Sequence, residues 1–330
     1  MTDARHYDVI IIGGGPAGLA AGVYAARGRY KTVLLEKGVI GGQIALTEIV
    51  ENYPGIKSIN GFDLSQEMLQ QAASYGMETE YVEVTGIERT GDLWTVHTSD
   101  VDFIAKAVIN TAGADYNRLG VPGEERLTGK GVSYCATCDA AFFKDQAVIV
   151  VGGGDAAIEE GLFTTRYISK ATVVHRRDEL RASAILQERA FANDKMEFKW
   201  NTVVTEVLGD DLVTGVKLKD TVTGVESEME TSAVFIFIGQ HPNTDFLGDL
   251  LPLDPGKHVI VDEWMRPHGR DGEPIPGFFA AGDIRQNSAR QVASSVGDGV
   301  TAVIAADHYI SANFTDVIGL DAEPAESTAG

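Results

Sequence analysis

The only two cysteines of this 330-residue chain lie in the sequence Cys135-Ala136-Thr137-Cys138-Asp139. A gap of two residues is short enough for the thiols to close into one disulfide, and a neighbouring carboxylic acid can supply a proton to a departing thiolate. A lone CxxC in a reducing compartment indicates a redox-active or a metal-binding pair. Structural zinc needs about four ligands, but there is no further cysteine and the seven histidines are scattered. We therefore expect a redox pair and no metal site.

Length and charge restrict the classes of protein to consider. A chain of 330 residues favours two domains over one. No apolar run approaches the ~20 residues that span a bilayer, and a strand-like run begins already at Tyr7, which leaves no room for a signal peptide. We expect a cytoplasmic protein that binds no membrane. A net charge of −21 disfavours nucleic acid as a partner.

An internal repeat gives the strongest indication of the fold. Residues 8–36 and 147–175 align without a gap at a constant offset of 139, and each half contains an apolar strand, a glycine-rich turn, a helix and a second strand. This order is typical of a right-handed βαβ unit. The fold class we predict is α/β, with two Rossmann-like, three-layer dinucleotide-binding domains.

The first glycine-rich turn has the spacing of a dinucleotide-binding fingerprint. Gly13 would allow the tight turn, Gly15 would let a pyrophosphate approach the backbone, and Gly18 would let helix and strand pack closely. Glu36 ends the second strand, where its carboxylate can accept hydrogen bonds from ribose hydroxyls and would repel a 2′-phosphate. The turn therefore favours FAD or NAD.

The second turn differs from the first at the ribose position. Gly152, Gly154 and Ala157 repeat the fingerprint, but His175 stands where the first copy has its glutamate, and three arginines follow. Guanidinium groups bind phosphate bidentately and stay charged at neutral pH. This site therefore favours NADPH over NADH. The three arginines are Arg176, Arg177 and Arg181.

The domain boundaries follow from where the flavin would lie. Gly282-Asp283, before the last helix, offers a carboxylate and a helix N-terminus to a flavin ribityl or pyrophosphate group. We therefore predict that the NADPH domain is inserted into a discontinuous FAD domain. The predicted ranges are 1–114 and 247–312 for the FAD domain, 115–246 for the NADPH domain, and 313–330 for a disordered acidic tail. The predicted elements include helices over 62–75 and 291–310, and strands over 80–84, 94–98, 107–111 and 234–239.

Several motifs together resemble those of one known family. They are GGGPAGLAA at 13–21, GGQ at 41–43, ENYPG at 51–55, CATCD at 135–139, GGGDAAIEE at 152–160, HRRDELRAS at 175–183, IGQHPNT at 238–244 and AAGD at 280–283. The chain is similar in these motifs to the low-molecular-weight, bacterial-type thioredoxin reductases over about residues 6–310. CATCD together with HRRxxxR is specific, because it combines a redox pair with a phosphate clamp.

The resemblance implies a homodimer that binds FAD and NADPH. By position, the residues implied to hold FAD are Gly13, Gly15, Gly18, Glu36, Gly42, Gln43, Asn52, Asp283, Arg290 and Gln291. Those implied to hold NADPH are Gly152, Gly154, Asp155, His175, Arg176, Arg177 and Arg181. The chain departs from the family pattern at Ala140, Ala289 and residues 294–299, none of which removes a chemical group that the reaction needs.

The function that these residues indicate is electron transfer from NADPH through FAD to Cys135–Cys138, and from there to thioredoxin or a similar small dithiol protein. By analogy with the family, Cys135 would attack the partner and Cys138 would face the flavin. Asp139 is the candidate proton donor, and an N-cap role for it is equally compatible with the sequence. Since the cysteines belong to the inserted domain, we expect a hinge near 113–118 and 243–248.

Three alternatives remain open at this stage. An FAD-dependent dithiol oxidase would pass electrons to oxygen without NADPH, which the arginine cluster disfavours. A redox sensor or interaction protein would bind flavin without turnover. An inert, buried cysteine pair is the least demanding possibility, but a CxxC beside an acid is not typical of it.

Overall fold

The computed structural model describes residues 4–47 and 49–317, and it divides the chain into two compact units. Unit 1 comprises residues 1–115 and 241–330, and unit 2 comprises residues 116–240. Unit 2 is thus inserted into a discontinuous unit 1. The first division lies beside the predicted 114/115 boundary. The second division lies earlier in the chain than the predicted 246/247 boundary, because Asn243 belongs to unit 1. The Asn243 backbone N–H donates a hydrogen bond to Gly113 O (3.0 Å), and its side-chain Nδ2 donates one to Ala112 O (2.9 Å).

Strands and helices alternate along most of the chain. The strands are β1 Arg5–Ile12, β2 Thr32–Glu36, β3 Glu78–Tyr81, β4 Val84–Thr90, β5 Leu93–Thr98, β6 Phe103–Asn110, β7 Ala114–Tyr116, β8 Val132–Ser133, β9 Ala147–Val151, β10 Lys170–Val174, β11 Met196–Lys199, β12 Thr202–Leu208, β13 Gly215–Asp220, β14 Glu226–Glu230, β15 Ala233–Ile236, β16 Gln240–Pro242 and β17 Phe278–Ala280. The α-helices are α1 Pro16–Arg27, α2 Gly61–Ser74, α3 Ala136–Asp139, α4 Asp155–Thr164, α5 Ala184–Phe191 and α6 Val292–Asn313. Short 3-10 helices cover Gly42–Leu46, Ala140–Phe143, Asp245–Leu247 and Gly282–Ile284.

The sheet of unit 1 has its first strand near the centre, in the order β3-β2-β1-β6-β5-β4. β3, β2, β1 and β6 run parallel, whereas β5 is antiparallel to the start of β6, and β17 pairs in parallel with the end of β6. From β1 the chain therefore passes first to β2 on one side of the sheet and later to β6 on the other side. In doubly wound folds, ligands bind at the carboxyl ends of the strands at such a reversal.

Both faces of β1 are buried, as a parallel sheet covered on two sides requires. Side chains alternate across a strand, so Val9 and Ile11 join one hydrophobic cluster with residues of α1 and α6, and Ile10 and Ile12 join a second cluster on the other face. The helices α1 and α6 pack very closely, because a Cβ added to Gly299 would lie 2.1 Å from the carbonyl oxygen of Ala17.

Unit 2 has a five-stranded parallel sheet in the order β11-β10-β9-β15-β8 and a separate three-stranded antiparallel sheet, β12-β13-β14. The predicted repeat is present as β1-α1-β2 in unit 1 and β9-α4-β10 in unit 2. The prediction of two Rossmann-like α/β folds is confirmed. The antiparallel sheet was not predicted, because its alternating polar and apolar residues give a weaker signal than the glycine-rich turns.

The C-terminal end of the described chain is ordered further than predicted. Helix α6 continues to Asn313, and Phe314 and Val317 pack against the hydrophobic cluster of α1 and α6. Residues 313–317 are therefore not part of a disordered tail, since two apolar side chains anchor them. The rest of the predicted tail, 318–330, lies outside the described residues.

A buried ion pair on β6 gives a test of the fold of unit 1. Lys106 Nζ lies 2.9 Å from Asp8 Oδ1, and both side chains are almost fully buried. Lys106→Met leaves the buried Asp8 carboxylate without its ion-pair partner, so this variant should lower the free energy of unfolding by about 3–5 kcal/mol. Thermal unfolding of purified protein measures the loss.

The matched control is Lys217→Met, which removes a half-exposed pair with Glu206 on the surface of unit 2. Surface pairs contribute little to stability, so this variant should melt close to the unsubstituted protein. Equal losses in the two variants would show that burial of the Asp8 pair does not determine its contribution.

Candidate redox and dinucleotide sites

The two cysteines lie at the carboxyl end of β8 in unit 2 and form a disulfide with a Cα–Cα distance of 5.3 Å. Cys135 is the N-cap residue of the short helix α3, and its Sγ accepts a hydrogen bond from the backbone N–H of Cys138 (3.2 Å). Both cysteines are half-buried. The predicted redox pair is thus present, in an arrangement from which a disulfide can open and close locally.

Ser133 fixes the backbone of the first cysteine. Its Oγ accepts a hydrogen bond from the Cys135 N–H (3.1 Å) and donates one to the Cys135 carbonyl (3.2 Å). Ser133 is buried, with 4 % of its surface exposed. No local pattern distinguished this serine from others in the sequence, because its role depends on the turn that follows β8.

Asp139 ends α3 and precedes the 3-10 helix Ala140–Phe143. Burial raises the pKa of the Asp139 carboxyl, and the Ser133 hydroxyl opposes that shift to a smaller degree. The side chain caps neither element, although Asp139 occupies the N-cap position of the 3-10 helix. The N-cap alternative is therefore not what the structure shows. A carboxyl with a raised pKa beside a disulfide is suited to proton transfer.

The first glycine-rich turn has the geometry that a pyrophosphate site requires. Gly13 has φ +103°, and a Cβ there would lie 2.5 Å from Thr111 O. A Cβ on Gly18 would lie 2.0 Å from Gly13 O, so this glycine permits the close contact of α1 with the turn. By contrast, a Cβ on Gly15 would meet nothing within 4 Å. Gly15 thus leaves open space above the N-terminus of α1, where a phosphate can approach backbone N–H groups.

Glu36 is held in place at the end of β2. Its Oε2 accepts the N–H of Gly14 and its Oε1 accepts the N–H of Gly38, both at 2.7 Å. Each carboxylate oxygen has a second lone pair, so Glu36 can also accept hydrogen bonds from a ribose. The carboxylate therefore connects the glycine-rich turn to the position at which an adenosine would lie.

The loop after β2 lies against the first turn. The Gly41 N–H donates a hydrogen bond to Gly14 O (2.8 Å). Gly42 has φ +54°, and a Cβ added to it would lie 3.7 Å from the Cα of Gly15. Gln43 is the second residue of the 3-10 helix Gly42–Leu46, and its Nε2 donates to Asp115 Oδ1 (3.0 Å). The predicted Gly42 therefore lies next to the glycine-rich turn. Gln43 is hydrogen-bonded to Asp115, the last residue of the first of the two chain segments that form unit 1.

A second group of predicted residues surrounds the start of α6. Asn52 Nδ2 donates to Gln291 Oε1 (3.1 Å), and Gln291 is the N-cap of α6. Asp283 accepts a hydrogen bond from Ser288 Oγ (2.7 Å), burial raises the pKa of its carboxyl, and the charge of Arg290 lowers it. These residues meet in unit 1 although the chain separates them widely.

The Asp283 loop lies beside the first turn. A Cβ added to Gly282 would lie 2.9 Å from the Cβ of Ala17 in α1. The buried Asp298 of α6 holds this loop, since it accepts the Gly282 N–H (3.2 Å) and forms a two-bond ion pair with Arg285 at 2.6 and 3.0 Å. The roles of Arg285 and Asp298 were not predicted, because their spacing in the sequence matches no pattern that marks a binding site.

The second glycine-rich turn, at the end of β9, repeats the geometry of the first. Gly152 has φ +148°, and a Cβ there would lie 2.5 Å from Ala157 Cβ. A Cβ on Gly154 would meet nothing within 4 Å. Asp155 begins α4 and its Oδ1 accepts the N–H of Ser183 (2.5 Å). The open position at Gly154 corresponds to the one at Gly15, which indicates a second phosphate approach.

His175 and the arginine cluster lie next to this second turn. The His175 ring packs on Gly153, where a Cβ would lie 2.4 Å from it, and Arg181 N–H donates to Gly153 O (2.7 Å). Burial, and then the charge of Arg181, lower the pKa of His175. The ring is thus expected to be neutral at neutral pH.

The guanidinium groups of Arg176, Arg177 and Arg181 are exposed. In the part of the chain that the structure describes, no carboxylate lies within ion-pair distance of any of these three guanidinium groups. Three unpaired guanidinium groups beside a phosphate turn, in a chain of net charge −21, form a local site for an anion.

Two buried polar atoms support dinucleotide binding further. Asn110 Nδ2, at the end of β6, and His175 Nε2, at the end of β10, are buried without a hydrogen-bond partner in the described part of the chain. Buried polar groups are nearly always paired. Both atoms lie at the carboxyl edge of a sheet, where a bound dinucleotide would supply partners. The residues present therefore fit such a ligand in each unit.

Comparison with known proteins agrees with this geometry. Residues 7–299 match the family of pyridine nucleotide-disulphide oxidoreductases. The chain belongs to this family. It is 46% identical to the thioredoxin reductase of Bacillus subtilis over 94% of its own length and 96% of that protein. It is also 46% identical to the thioredoxin reductase of Listeria monocytogenes, over 94% of this chain and 95% of that one.

A solved structure of a family member is similar throughout. The crystal structure of the thioredoxin reductase from Streptococcus pyogenes has a TM-score of 0.89 and 45% identity, and the alignment covers 94% of this chain and all of that one. The predicted resemblance to thioredoxin reductases is confirmed, and so is the predicted class of enzyme, a pyridine nucleotide-dependent disulfide reductase.

Two expected absences concern metals and membranes. The described residues contain no cluster of three or more His, Cys, Asp or Glu side chains that could hold a metal ion. Within the same residues, every helix is too short or too polar to cross a bilayer.

Gly154 provides a test of the second dinucleotide site. Its φ of −95° suits alanine, but the added methyl group would enter the space that a pyrophosphate needs. Gly154→Ala should weaken NADP⁺ binding about tenfold or more and lower Tm by no more than about 4 °C. Isothermal titration with NADP⁺ measures the affinity.

The control is Gly297→Ala in α6, where the new Cβ also meets nothing within 4 Å. It should leave NADP⁺ affinity unchanged and raise stability slightly, since alanine favours helix interiors over glycine. Normal NADP⁺ binding by Gly154→Ala would mean that the phosphate does not approach this turn.

Proposed function

We propose that the protein is a thioredoxin-disulfide reductase, which moves electrons from NADPH through FAD and the Cys135–Cys138 pair to a disulfide of thioredoxin or a similar small dithiol protein. The net reaction is NADPH + H⁺ + protein disulfide → NADP⁺ + protein dithiol. The observation that carries the proposal is the disulfide in the same unit as a glycine-rich turn with three unpaired arginines. A disulfide reductase needs both, and an inert cysteine pair needs neither.

The residues of unit 1 support FAD as the first cofactor. When bound, FAD would accept a hydride from NADPH and pass two electrons to the disulfide. Gly13, Gly15 and Gly18 would admit its pyrophosphate, and Glu36 would accept hydrogen bonds from its ribose. The remaining proposed contacts come from Gly42, Gln43, Asn52, Asp283, Arg290 and Gln291.

The residues of unit 2 support NADPH as the electron donor. Gly152, Gly154 and the start of α4 at Asp155 would receive the pyrophosphate. A neutral His175 with an unpaired Nε2 would donate or accept one hydrogen bond beside the adenosine ribose. The three guanidinium groups of Arg176, Arg177 and Arg181 would bind a 2′-phosphate, which NADH lacks.

The thiol chemistry follows from the arrangement of the cysteine loop. Reduction opens the disulfide to two thiols, and the thiolate of one attacks the disulfide of the partner to form a mixed disulfide, which the second thiol resolves. We assign the attack to Cys135 and contact with the flavin to Cys138, as the family resemblance implies. Asp139 would supply the proton that a departing thiolate needs.

Homodimer formation, a cytoplasmic location and a hinge near 113–118 and 243–248 are parts of the same proposal and stay predictions. The main alternative is an FAD-dependent dithiol oxidase. Such an enzyme has no use for the cluster of unpaired guanidinium groups next to the second turn. A flavin-binding redox sensor would keep both sites but would not turn over, so rapid kinetics distinguish it from an enzyme.

Cofactor preference gives the first test of this function. The protein should oxidise NADPH much faster than NADH when thioredoxin is supplied. Arg176→Ala combined with Arg177→Ala should raise the KM for NADPH about tenfold or more, because two charge-assisted phosphate contacts are lost, with little effect on NADH. Absorbance at 340 nm with a panel of thioredoxins measures both rates.

Arg166→Ala is the matched control, since Arg166 is also exposed on unit 2 but lies against the Phe163 ring. It should keep the KM for NADPH. Comparable turnover with NADH and NADPH in the unsubstituted protein would refute the role of the arginine cluster, and no turnover with any thioredoxin would favour the redox sensor.

The proton role of Asp139 predicts a specific pH dependence. Since burial raises the pKa of this carboxyl, its acid form persists to higher pH and declines as pH rises through the raised pKa. Thioredoxin reduction should therefore lose a component on the alkaline side of that pKa. Asp139→Asn should slow thioredoxin reduction about 100-fold, remove this component, and leave flavin reduction by NADPH nearly unchanged.

Asp145→Asn serves as its control, because Asp145 is exposed in the turn that follows the 3-10 helix. Stopped-flow absorbance follows flavin reduction, and steady-state assays across pH follow thioredoxin reduction. An equal loss in both steps for Asp139→Asn would exclude the proton role.

A further inference from the structure

We propose that Tyr134, the residue immediately before the first cysteine, is a positioning residue that holds the Cys135–Cys138 loop against the segment by which the chain passes into unit 2. This inference rests on the proposed function, since it assigns a role within the reaction of the same disulfide. It comes from two contacts of the Tyr134 side chain and from the short strand on which the loop is built.

The tyrosine ring is held on one side by a second tyrosine. The rings of Tyr134 and Tyr116 stack with centroids 5.3 Å apart and planes inclined by 15°. Tyr116 is the first residue of unit 2 and ends β7. Offset stacking of aromatic rings contributes beyond the area that the rings bury. The incoming segment and the cysteine loop therefore share a direct contact within unit 2.

The hydroxyl of Tyr134 is held by a buried carboxylate. It donates a hydrogen bond to Glu124 Oε1 (2.8 Å), and only 2 % of Glu124 is exposed. The same carboxylate accepts the backbone N–H groups of Leu119 (2.8 Å) and Gly120 (2.7 Å). One side chain thus binds both the loop that follows Tyr116 and the residue that precedes Cys135.

The protonation state of the Tyr134 hydroxyl is suited to a permanent contact. Burial raises the pKa of the Tyr134 hydroxyl, and the hydrogen bond to Glu124 and the charge of Glu124 raise it further, while Arg118 opposes the shift. The hydroxyl therefore stays a donor over the whole physiological pH range. Hydrogen bonds to an ionised acceptor are shorter and stronger than those between neutral groups.

The local backbone explains why the loop needs such support. Strand β8 contains only Val132 and Ser133; it pairs in parallel with β15, and Val132 also forms an isolated bridge with Thr128. In the described chain the next strand after Ser133 begins at Ala147, and Cys135 has an extended backbone with φ −142° before α3 begins. Tyr134 is the one residue between the end of β8 and Cys135, so the contacts of its side chain with Tyr116 and Glu124 fix the chain where it leaves the sheet.

The expected consequence is a loss of reactive geometry when the hydroxyl is removed. A displacement of about 1 Å at a reacting group can reduce a rate by two orders of magnitude. Tyr134→Phe keeps the stacked ring and removes one hydrogen bond to a charged group, so we expect the kcat for thioredoxin reduction to fall about 3- to 10-fold. The KM for NADPH and the rate of flavin reduction by NADPH should not change.

The experiment compares Tyr134→Phe with Tyr167→Phe in the FAD-loaded protein. Tyr167 is also in unit 2 and its ring packs on Phe163, so this variant makes the same chemical change away from the cysteines. Stopped flow measures flavin reduction. Rapid quenching with iodoacetamide and mass spectrometry measures how fast NADPH generates free thiols at Cys135 and Cys138. Tyr134→Phe alone should slow thiol formation.

Glu124→Gln completes the comparison as a double-mutant cycle. If the hydroxyl acts through Glu124, adding Tyr134→Phe to Glu124→Gln should cause no further loss of kcat. Independent losses that multiply would overturn the proposed link. Should Tyr134→Phe not fold, Glu124→Gln alone is tested for the same selective loss of thiol formation.

The outcomes separate this inference from the function on which it rests. If the unsubstituted protein does not reduce any thioredoxin, the proposed function fails first. If it does, and Tyr134→Phe forms thiols as fast as Tyr167→Phe, only the role of Tyr134 is wrong. A parallel fall in flavin reduction and thiol formation would show that Tyr134 supports the unit as a whole and would also overturn the inference.

Discussion

The close approach of backbone to backbone at the two glycine-rich turns is the constraint on which the rest of this structure depends. Gly18 lies so near Gly13 O that no side chain could be present, and Gly299 of α6 approaches Ala17 O equally closely. These contacts bring the N-terminus of α1 to the central strand of the sheet. A helix N-terminus with unpaired N–H groups and open space above it is an anion site.

Unit 2 has the same kind of glycine-rich turn but a different residue at the end of the second strand of its βαβ unit. Glu36 in unit 1 is replaced by His175 at the end of β10, and the neighbouring arginines have no acidic partners in the described chain. The two units thus have similar turns with side chains of opposite charge beside them. The disulfide belongs to the second of these units, so the CxxC pair and the turn with the arginine cluster are carried by one compact unit of the chain.

Buried polar side chains organise the loops that the sheets leave unsupported. Asp298 holds the Gly282 N–H in unit 1, Ser133 holds both backbone groups of Cys135, and Glu124 collects two backbone N–H groups and the Tyr134 hydroxyl in unit 2. Each is a case in which one side chain pairs with polar groups that would be costly to bury without a hydrogen-bond partner. The reactive segments are therefore positioned by side chains, where the regular ladders end.

The sequence by itself determined the fold class, the repeat, the cysteine pair and the glycine-rich turns, because each is set by residues close together in the chain. Gly13, Gly152 and the CxxC have local steric or covalent requirements that no other residue type meets. Only the tertiary structure decided which distant residues meet them, such as Thr111 at the first turn, Asp298 at the Asp283 loop, and Tyr116 and Glu124 at Tyr134. It also placed the second unit boundary before Asn243 and anchored Phe314. These contacts depend on how the chain folds back on itself and not on a fixed spacing, so no sequence pattern could reveal them.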